Sequence, residues 1–333
     1  MKVVVLTTSY PSSDHPVAGA FVQAAVDAAR SAGVEVDVVS PSSFPHFGIA
    51  YGAGIAQNLR AAPWRLAFVP GFLAAFSVAA RRAAGDADLV HAHWIPSAIA
   101  ARATGKPYVL QVWGTDVELA RRFPRIVRPL VRGARVVLSA SSFLADEARA
   151  LGARRVEVVP SPVTLPERVG EPDEPPHVLF AGRLSEEKGI LEFLDATEGL
   201  PRVVVGDGPL RARVPDAVGF VPPSELGAFY ERAAVVCVPS RREGYGVTAR
   251  EAMAYARPVV ATAVGGLADL SGDGVALVPP RDIGALHDAL SSLLGDPPRR
   301  AVLGEAARAA AARLFAPAQV GAALTDVYAA AAS

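Results

Sequence analysis

The chain has 333 residues, a length that fits about two domains, and 51% of them are hydrophobic, so each domain can bury a core. Lys and Arg total 33 and Asp and Glu total 33, and this neutral balance argues against nucleic acid as the main ligand. A single cysteine, Cys237, excludes a disulfide within the chain. No signal peptide is expected, and the apolar stretch 66–80 is short and contains Pro70-Gly71. These features predict a soluble, cytoplasmic protein.

The first half of the chain alternates apolar runs with segments of helical periodicity. The predicted strands are 2–6, 34–39, 88–92, 107–112, 134–138 and 155–159; the predicted helices are 20–32, 64–84, 96–104, 116–132 and 141–151. Prolines interrupt the helices 64–84 and 116–132. Such alternation predicts a parallel sheet with helices on both faces.

The second half repeats this plan after a proline-rich segment. The predicted strands are 177–181, 202–205, 217–221, 233–239, 258–262 and 275–278; the predicted helices are 188–197, 224–233, 247–256, 283–294, 299–314 and 317–331. Six prolines in 160–176 indicate an interdomain linker. We therefore predict a domain over 1–160, a linker over 161–176 and a second domain over 177–316.

The turn after the strand 233–239 carries the strongest signal for a site. Glu243 precedes a Gly-Tyr-Gly turn, and Glu251 lies in the helix that follows. In a parallel sheet such turns lie at the carboxyl ends of the strands, where ligands bind. Glycines allow close backbone approach, and a helix N-terminus offers N–H groups to phosphate or sugar oxygens. The alternative is an ordinary turn with solvated glutamates.

Two further turns of the second half could face the same ligand. Arg183 follows the strand 177–181, and Lys188 is expected to open the next helix. Such a pair suits a diphosphate, because Arg forms two parallel bonds and Lys adds a point charge. A surface pair near Glu186 and Glu187 is the alternative. The glycine turn 206–209 is by itself more typical of structure than of function.

The first half offers weaker candidates. Gly19 lies in a glycine loop at a helix N-terminus, which could receive phosphate or sugar. We expect His91 and His93 to point to opposite faces of their strand, which disfavours a two-His metal site and leaves one His facing a cleft. Asp116 is either a plain N-cap or a site residue.

A basic run closes the list of candidates from the first half. Its members are Arg121, Arg122, Arg125, Arg128 and Arg132. A solvated helix face is the ordinary explanation, and contact with anionic lipid headgroups is the alternative. The dinucleotide-binding, Walker A, Gly-x-Ser-x-Gly and Cys-x-x-Cys motifs are absent from the sequence, as is a paired-Asp metal motif. A metal-free mechanism is therefore the simpler prediction.

Nine motifs occur in the order that is typical of glycosyltransferase family 4, the retaining group 1 transferases with the GT-B fold. They are Gly182-Arg183-Leu184, Lys188-Gly189, Gly206–Pro209, Pro239-Ser240, Glu243–Gly246, Glu251–Ala254, Pro258–Ala261, Gly265-Gly266 and Val278–Pro280. The chain resembles this family over nearly its whole length. The resemblance implies an α/β fold of two Rossmann-like domains that face each other across a cleft, with the helix in 317–333 crossing back to the N-terminal domain.

The resemblance also implies roles for individual residues. Glu243 would contact the donor sugar and stabilise the transition state, Arg183 and Lys188 would hold the diphosphate, and Glu251 would bind the ribose. Further donor contacts would come from Gly19, Gly182, Gly208, Phe220, Val221, Gly244, Tyr245, Gly246 and Val247. The acceptor side would include His93, Trp94, Trp113 and Asp116. Many relatives have His at the position of Trp113, so His93 becomes the candidate catalytic histidine.

The implied function is retaining, metal-independent transfer of a sugar from a UDP- or GDP-sugar to a hydroxyl acceptor. The setting would be the synthesis of cell-surface polysaccharide, glycolipid or glycoside, without a cofactor beyond the nucleotide-sugar co-substrate. A lipid-linked acceptor and peripheral contact with the inner face of the membrane stay open, as does the oligomeric state. Two alternatives are a GT-B epimerase acting on a UDP-sugar and a non-catalytic sugar-nucleotide binder.

Overall fold

The computed structural model of the protein describes residues 1–51, 54–114, 117 and 122–333. The chain divides into two compact units. The first consists of Met1–Pro162 and Pro317–Ser333, and the second of Val163–Ala316. Each unit contains one parallel sheet with helices, so the predicted α/β class is confirmed.

The sheet of the first unit has six parallel strands in the order β2-β1-β3-β4-β5-β6. The strands are β1 Lys2–Leu6, β2 Glu35–Val39, β3 Leu89–His93, β4 Tyr108–Val112, β5 Val136–Ser139 and β6 Val156–Val158. Every residue of β3 and β4 is buried, as expected for central parallel strands that are covered on both faces.

Helices cover both faces of this first sheet. They are α1 Ala20–Ser31, α2 Ile55–Ala61, α3 Val69–Ala83, α4 Ile95–Thr104, α5 Pro124–Gly133 and α6 Ser142–Ala150. Phe72 and Phe76 of α3 share one apolar core with Leu130 of α5. Val22 of α1 belongs to a second core, which Leu324 joins from the end of the chain.

The sheet of the second unit has five parallel strands in the order β11-β10-β9-β7-β8. The strands are β7 Val178–Ala181, β8 Arg202–Val205, β9 Val235–Val238, β10 Val259–Thr262 and β11 Val275–Val278. The helices of this unit are α7 Ile190–Ala196, α8 Pro223–Arg232, α9 Val247–Ala254, α10 Ile283–Gly295 and α11 Pro297–Phe315. The last helix, α12 Pro317–Ala332, belongs to the first unit.

The strand order places one switch point in each sheet. In the first sheet β1 neighbours β3, and in the second sheet β7 neighbours β9. The helices that follow two such strands cover opposite faces, which leaves a crevice at the carboxyl ends where ligands bind. Accordingly, α7 joins one apolar core of the second unit and α9 joins the other. The turns after β7 and β9 therefore lie at the predicted position of a ligand.

Two predicted elements differ from the structure. The predicted strand 217–221 is absent from this described region, where a single bridge pairs Gly219 with Gly206. Gly219 has φ +95°, which is incompatible with an extended strand. Lys188 does not open a helix but ends the 3-10 turn Glu186–Lys188, because Gly189 takes φ +72° before α7 begins.

In the part of the chain that the structure describes, one segment, Pro63–Ala83, is long and apolar enough to cross a membrane by length and composition alone, although most of it is not buried. It joins the 3-10 turn Pro63–Phe68 to α3. Pro70 lies in the first turn of α3, where a missing N–H costs nothing, and does not break the helix. The buried Phe72 and Phe76 pack against the sheet, as in a surface helix of a globular unit.

Candidate active site

Two turns at the β7/β9 switch point are locked against each other. A Cβ atom at Gly189 would lie 1.9 Å from the carbonyl oxygen of Pro239, so only glycine permits this approach. The backbone N–H of Arg241 donates to the carbonyl of Glu187 at 2.9 Å, and its guanidinium forms an ion pair with Glu192. The Lys188 turn and the Glu243 turn thus form one rigid edge.

Lys188 and Glu243 are joined directly across this edge. The Lys188 ammonium donates to Glu243 Oε2 at 2.7 Å, and the Ser240 hydroxyl donates to the same oxygen at 3.2 Å. The Glu243 side chain is 13% exposed, so the carboxylate is reachable but largely removed from water. The sequence predicted both residues separately; their pairing, 55 positions apart in the chain, had no sequence signal.

Arg183 supplies a second cation after β7. Its side chain is exposed, and it forms no ion pair with any residue that the structure describes. An unpaired guanidinium is suited to a bidentate contact with an anionic ligand. The turn therefore presents one paired and one available cation.

Glu251 on α9 is held by a residue that the sequence reasoning missed. Tyr230 of α8 donates its phenol O–H to Glu251 Oε2 at 2.7 Å. Burial raises the pKa of Glu251, and the Tyr230 hydrogen bond opposes this shift. Burial and the neighbouring carboxylate also raise the pKa of Tyr230 well above its ordinary value, so the phenol stays a donor. Nothing in the local sequence around Tyr230 marks this role.

The Gly-Tyr-Gly turn delivers the chain into α9. Gly246 caps the helix with φ +87°, and no side chain caps its first turn. Tyr245 is buried, whereas Val247 is exposed at the first helical position. Gly244 is the first residue of the turn, and it also interacts with a neighbouring group. The predicted backbone site for phosphate or sugar is thus a glycine-capped helix start.

The turns after β7 and β8 approach each other closely. A Cβ atom at Gly206 would lie 1.8 Å from the Gly182 carbonyl oxygen, and one at Gly208 would lie 2.6 Å from that of Leu184. Phe220 follows this region with 65% of its surface exposed, and Val221 is half-buried. A large exposed ring at this edge is available to stack on a planar ligand.

In the first unit, Gly19 lies where the sequence predicted a glycine loop. It takes φ +63° at the N-cap of α1, and a Cβ atom there would lie 2.2 Å from the Ser9 carbonyl oxygen. No side chain caps α1. The loop after β1 therefore requires glycine for a close backbone contact.

The expected orientation of His91 and His93 is wrong. Residues two apart in a strand point to the same face, and the two ring centroids lie 4.3 Å apart. Both rings are buried, and burial lowers the pKa of His91 to about 3 and that of His93 well below its ordinary value. His91 Nδ1 shares a hydrogen bond with the Tyr328 hydroxyl at 2.8 Å. Both rings are therefore neutral at pH 7.

His93 belongs to an aromatic cluster with Phe21, Trp94 and Trp113. Trp113 donates its indole N–H to His93 Nδ1 at 3.3 Å, and the two rings stack with centroids 5.9 Å apart. Trp94 takes φ +64° and packs on Phe21, which also contacts Trp113. The structure thus brings three of the four predicted acceptor-side residues together. The fourth, Asp116, lies outside the described residues, as does Arg121 of the basic run.

The described ranges contain no group of three or more His, Cys, Asp or Glu residues that could hold a metal ion. Cys237 is buried in β9, and burial raises the pKa of its thiol. A buried thiol of this kind is inert as a nucleophile.

Comparison with known proteins identifies the class. Over 98% of both chains, the fold matches sucrose-phosphate synthase of Thermosynechococcus elongatus with a TM-score of 0.79 at 19% identity. It matches Anabaena HepE, solved in complex with UDP-glucose, over 99% of both chains with a TM-score of 0.72 at 19% identity. The fold is therefore that of the GT-B glycosyltransferases.

The sequence comparisons identify the family. The model of Glycosyltransferase Family 4 matches residues 18–166, and that of Glycosyl transferases group 1 matches residues 164–310. The D-inositol 3-phosphate glycosyltransferase of Xylanimonas cellulosilytica is 35% identical over 78% of this chain and 77% of its own. The chain belongs to this family of group 1 glycosyltransferases, and the predicted transferase class is confirmed.

Proposed function

We propose that the protein is a retaining glycosyltransferase that moves a sugar from a nucleoside diphosphate donor, UDP- or GDP-linked, to a hydroxyl acceptor without a metal ion. One observation carries this proposal: the Lys188–Glu243 pair lies at the β7/β9 switch point beside the exposed Arg183. Anabaena HepE, a protein of the same fold, was solved with UDP-glucose, which supports the nucleotide-sugar donor.

In the proposed reaction these residues stabilise the charges that develop in the transition state. Cleavage of the anomeric bond leaves a diphosphate anion and an oxocarbenium-like sugar. Arg183 and Lys188 would stabilise the anion, and fixed groups of this kind contribute about 3–4 kcal/mol each in comparable enzymes. Glu243 would contact the sugar hydroxyls and oppose the positive charge. We favour attack of the acceptor on the face from which the diphosphate leaves, because no nucleophile was recognised in the sequence.

The remaining donor contacts follow from the turns. Glu251 would accept from the ribose hydroxyls, and its Tyr230 hydrogen bond favours the charged form that accepts them. Phe220 would lie beside the base. We assign donor binding to the second unit and acceptor binding to the first, where His93 and the aromatic cluster would line the acceptor side.

The test is donor turnover by Glu243→Gln with UDP-glucose and GDP-mannose as probes. We expect a loss of about 100-fold in donor hydrolysis and transfer, because the variant keeps the shape of the side chain without its charge. Asp173→Asn, which removes a surface ion pair with Arg232, serves as the matched control and should keep full activity. Unchanged turnover in Glu243→Gln would remove Glu243 from the mechanism.

Two other outcomes would contradict the proposal that this protein transfers a sugar to an acceptor. Release of an epimerised UDP-sugar would favour the epimerase alternative. Tight binding of the donor without turnover, with every acceptor tried, would favour a non-catalytic binder. The membership of a transferase family argues against both alternatives.

We further propose that the protein works in the cytoplasm, at the inner face of the membrane, on a lipid-linked or cell-surface acceptor. The segment 38–145 carries 12 Lys and Arg against four Asp and Glu in a chain whose total charge is zero. Helix α5 contains Arg125, Arg128 and Arg132 and no acidic residue. Ile126 of the same helix is 63% exposed. Basic helices with exposed apolar side chains favour anionic bilayer surfaces.

Vesicle cosedimentation tests this contact. We expect binding to vesicles that contain phosphatidylglycerol, weaker binding at 0.5 M salt, and none to neutral phosphatidylcholine. The double variant Arg125→Glu, Arg128→Glu should lose binding, whereas Arg299→Glu, Arg313→Glu on the second unit should keep it. Equal binding by both variants would contradict a surface centred on α5.

A further inference from the structure

Arg250 is a buried cation in the middle of the donor-site motif. It precedes Glu251 on α9, and only 2% of its surface is exposed. Within the described part of the chain it forms no ion pair. Burial of a charge is costly unless other groups compensate it. A guanidinium kept in such a place needs a structural or functional reason.

The compensation comes from backbone carbonyls of two different turns. Arg250 donates to the carbonyls of Tyr245 and Gly246 in the turn after β9, and to that of Gly266 in the turn after β10, the last at 3.2 Å. Its guanidinium lies 3.8 Å from the centroid of the Tyr245 ring and 5.1 Å from that of Phe315. One side chain thus ties together two turns of the donor site.

These bonds set the direction of the peptide groups in the Gly-Tyr-Gly turn. In a trans peptide the carbonyl and the following N–H point in opposite directions. Because the Tyr245 and Gly246 carbonyls face the buried Arg250, the N–H groups of Gly246 and Val247 face away from it. Neither N–H donates to a backbone carbonyl of the described chain. Arg250 therefore holds these two N–H groups on the side of the turn away from itself, at the start of α9.

The same network reaches Glu243. Gly266 accepts from Arg250 through its carbonyl, and its own N–H donates to the backbone carbonyl of Glu243 at 3.1 Å. Gly246 also packs closely on Leu267, whose Cδ2 would lie 2.5 Å from an added Cβ atom. Loss of the Arg250 side chain would remove its hydrogen bonds to two carbonyls of the turn after β9 and to one of the turn after β10, leaving the Gly246 carbonyl with the backbone N–H of residue 250 at 3.4 Å.

A buried guanidinium also acts at a distance. Its charge is screened less in the interior than at the surface, so it adds positive potential to the turn above it. An anion bound at the start of α9 would be attracted by the N–H groups and by this charge together. The effect would favour a diphosphate over an uncharged nucleoside.

We propose that Arg250 is a positioning residue for the donor diphosphate. It touches no ligand itself but fixes the peptide N–H groups of Gly246 and Val247 toward the phosphates and ties this turn to the backbone of Glu243. This inference rests on the proposed donor site and goes beyond it, since the sequence motif assigns no role to Arg250.

The test compares the binding of UDP and of uridine to Arg250→Met by calorimetry or NMR titration. We expect the affinity for UDP to fall by about tenfold or more, about 1.4 kcal/mol, because the two N–H groups lose their fixed direction and the buried charge is removed. Uridine binding should change by less than about twofold, since Glu251 stays in place. If the wild-type protein binds GDP more tightly than UDP, the same comparison is made with GDP and guanosine. Arg250→Lys keeps a charge without the two-turn bridge and should show the same selective loss in a smaller amount.

Arg300→Met is the matched control. Arg300 is also buried and binds carbonyls, those of Leu293 and Leu294 at the end of α10, so its loss should lower stability without changing UDP affinity. Equal loss of UDP and uridine binding in the Arg250 variants, or UDP affinity like that of Arg300→Met, would overturn the inference. Wild-type protein that binds neither UDP nor GDP would instead overturn the proposed donor site.

Discussion

At the scale of single residues, the two carboxylates of the candidate site are each held by a partner, whereas Arg183 is left available. Glu243 is paired with Lys188, and Glu251 accepts from Tyr230. A carboxylate that is partly buried is a stronger acceptor than one in water, but burial alone would favour its protonated form. At Glu251 the hydrogen bond from the Tyr230 phenol opposes that tendency. The site therefore contains two carboxylates of low exposure that each accept from a donor side chain.

Tyr230→Phe tests this reasoning. Without the phenol O–H, the pKa of Glu251 should rise further, because one hydrogen bond to the charged form is lost. We expect the donor KM to rise by about fivefold or more at pH 7, with the acid limb of donor binding moved to higher pH. The measurement is donor KM and kcat between pH 5 and pH 8.

Tyr255→Phe is the control for this variant. The Tyr255 ring lies 5.6 Å from that of Tyr230, but its hydroxyl does not bond to Glu251. It should leave the pH profile in place. A profile that shifts equally in both variants would point to general loosening of the packing around α8.

At the scale of elements, the last helix illustrates how the chain closes its first unit. Helix α12 packs on α1, and Tyr328 reaches the strand residue His91 through a hydrogen bond of 2.8 Å. Gly321 lets the two helices approach, since a Cβ atom there would lie 2.3 Å from the Ala28 carbonyl oxygen. The first unit thus depends on residues from both ends of the chain.

Gly321→Ala should lower the free energy of unfolding by about 1–3 kcal/mol, because the added methyl group meets backbone that cannot move aside cheaply. Urea unfolding followed by circular dichroism measures the change. Gly295→Ala, at the end of α10, is the matched control, since nothing lies within 4 Å of its added Cβ atom. The α12–α1 contact would be less tight than described if both variants unfolded alike.

At the scale of the whole molecule, the neutral sum of charges conceals two units of opposite sign. The first unit carries 17 Lys and Arg against 12 Asp and Glu, and the second carries 16 against 21. Net charge governs solubility and nonspecific association, so the first unit should attract anionic surfaces and the second should repel them. The proposed membrane contact belongs to the positive unit.

The stability of the molecule should also depend on pH through its buried histidines. Burial lowers the pKa of His91 to about 3 and that of His93 well below 6.5. Between about pH 6.5 and these lowered values the unfolded chain binds more protons than the folded chain. The free energy of unfolding should therefore be largest above pH 6.5 and fall as the pH drops through this window.

Urea unfolding at pH 7.5, 6.0 and 5.0 measures this slope. His91→Gln should flatten it by removing one titrating group. Tyr328→Phe removes the hydrogen bond to His91 without removing that group, and should lower stability by a similar amount at each pH. A wild-type slope near zero between pH 6.5 and pH 5 would contradict neutral buried rings.

The sequence by itself determined the alternation of strands and helices, the family motifs and most of the residues of the candidate site. These features depend on neighbours within a few positions, such as the glycines around Tyr245 or the apolar run before Ser240. The orientation of His91 and His93 was equally local, and the strand period of two, correctly applied, would have predicted it.

Only the tertiary structure decided which charges meet. Lys188 and Glu243 are 55 positions apart, Tyr230 and Glu251 are 21 apart, and Arg250 reaches Gly266 across 16 positions. Pairing, burial and the shifted pKa values depend on atoms that the fold brings within a few ångströms. No periodicity in the chain encodes those distances, because they arise from how the turns after β7, β9 and β10 pack together.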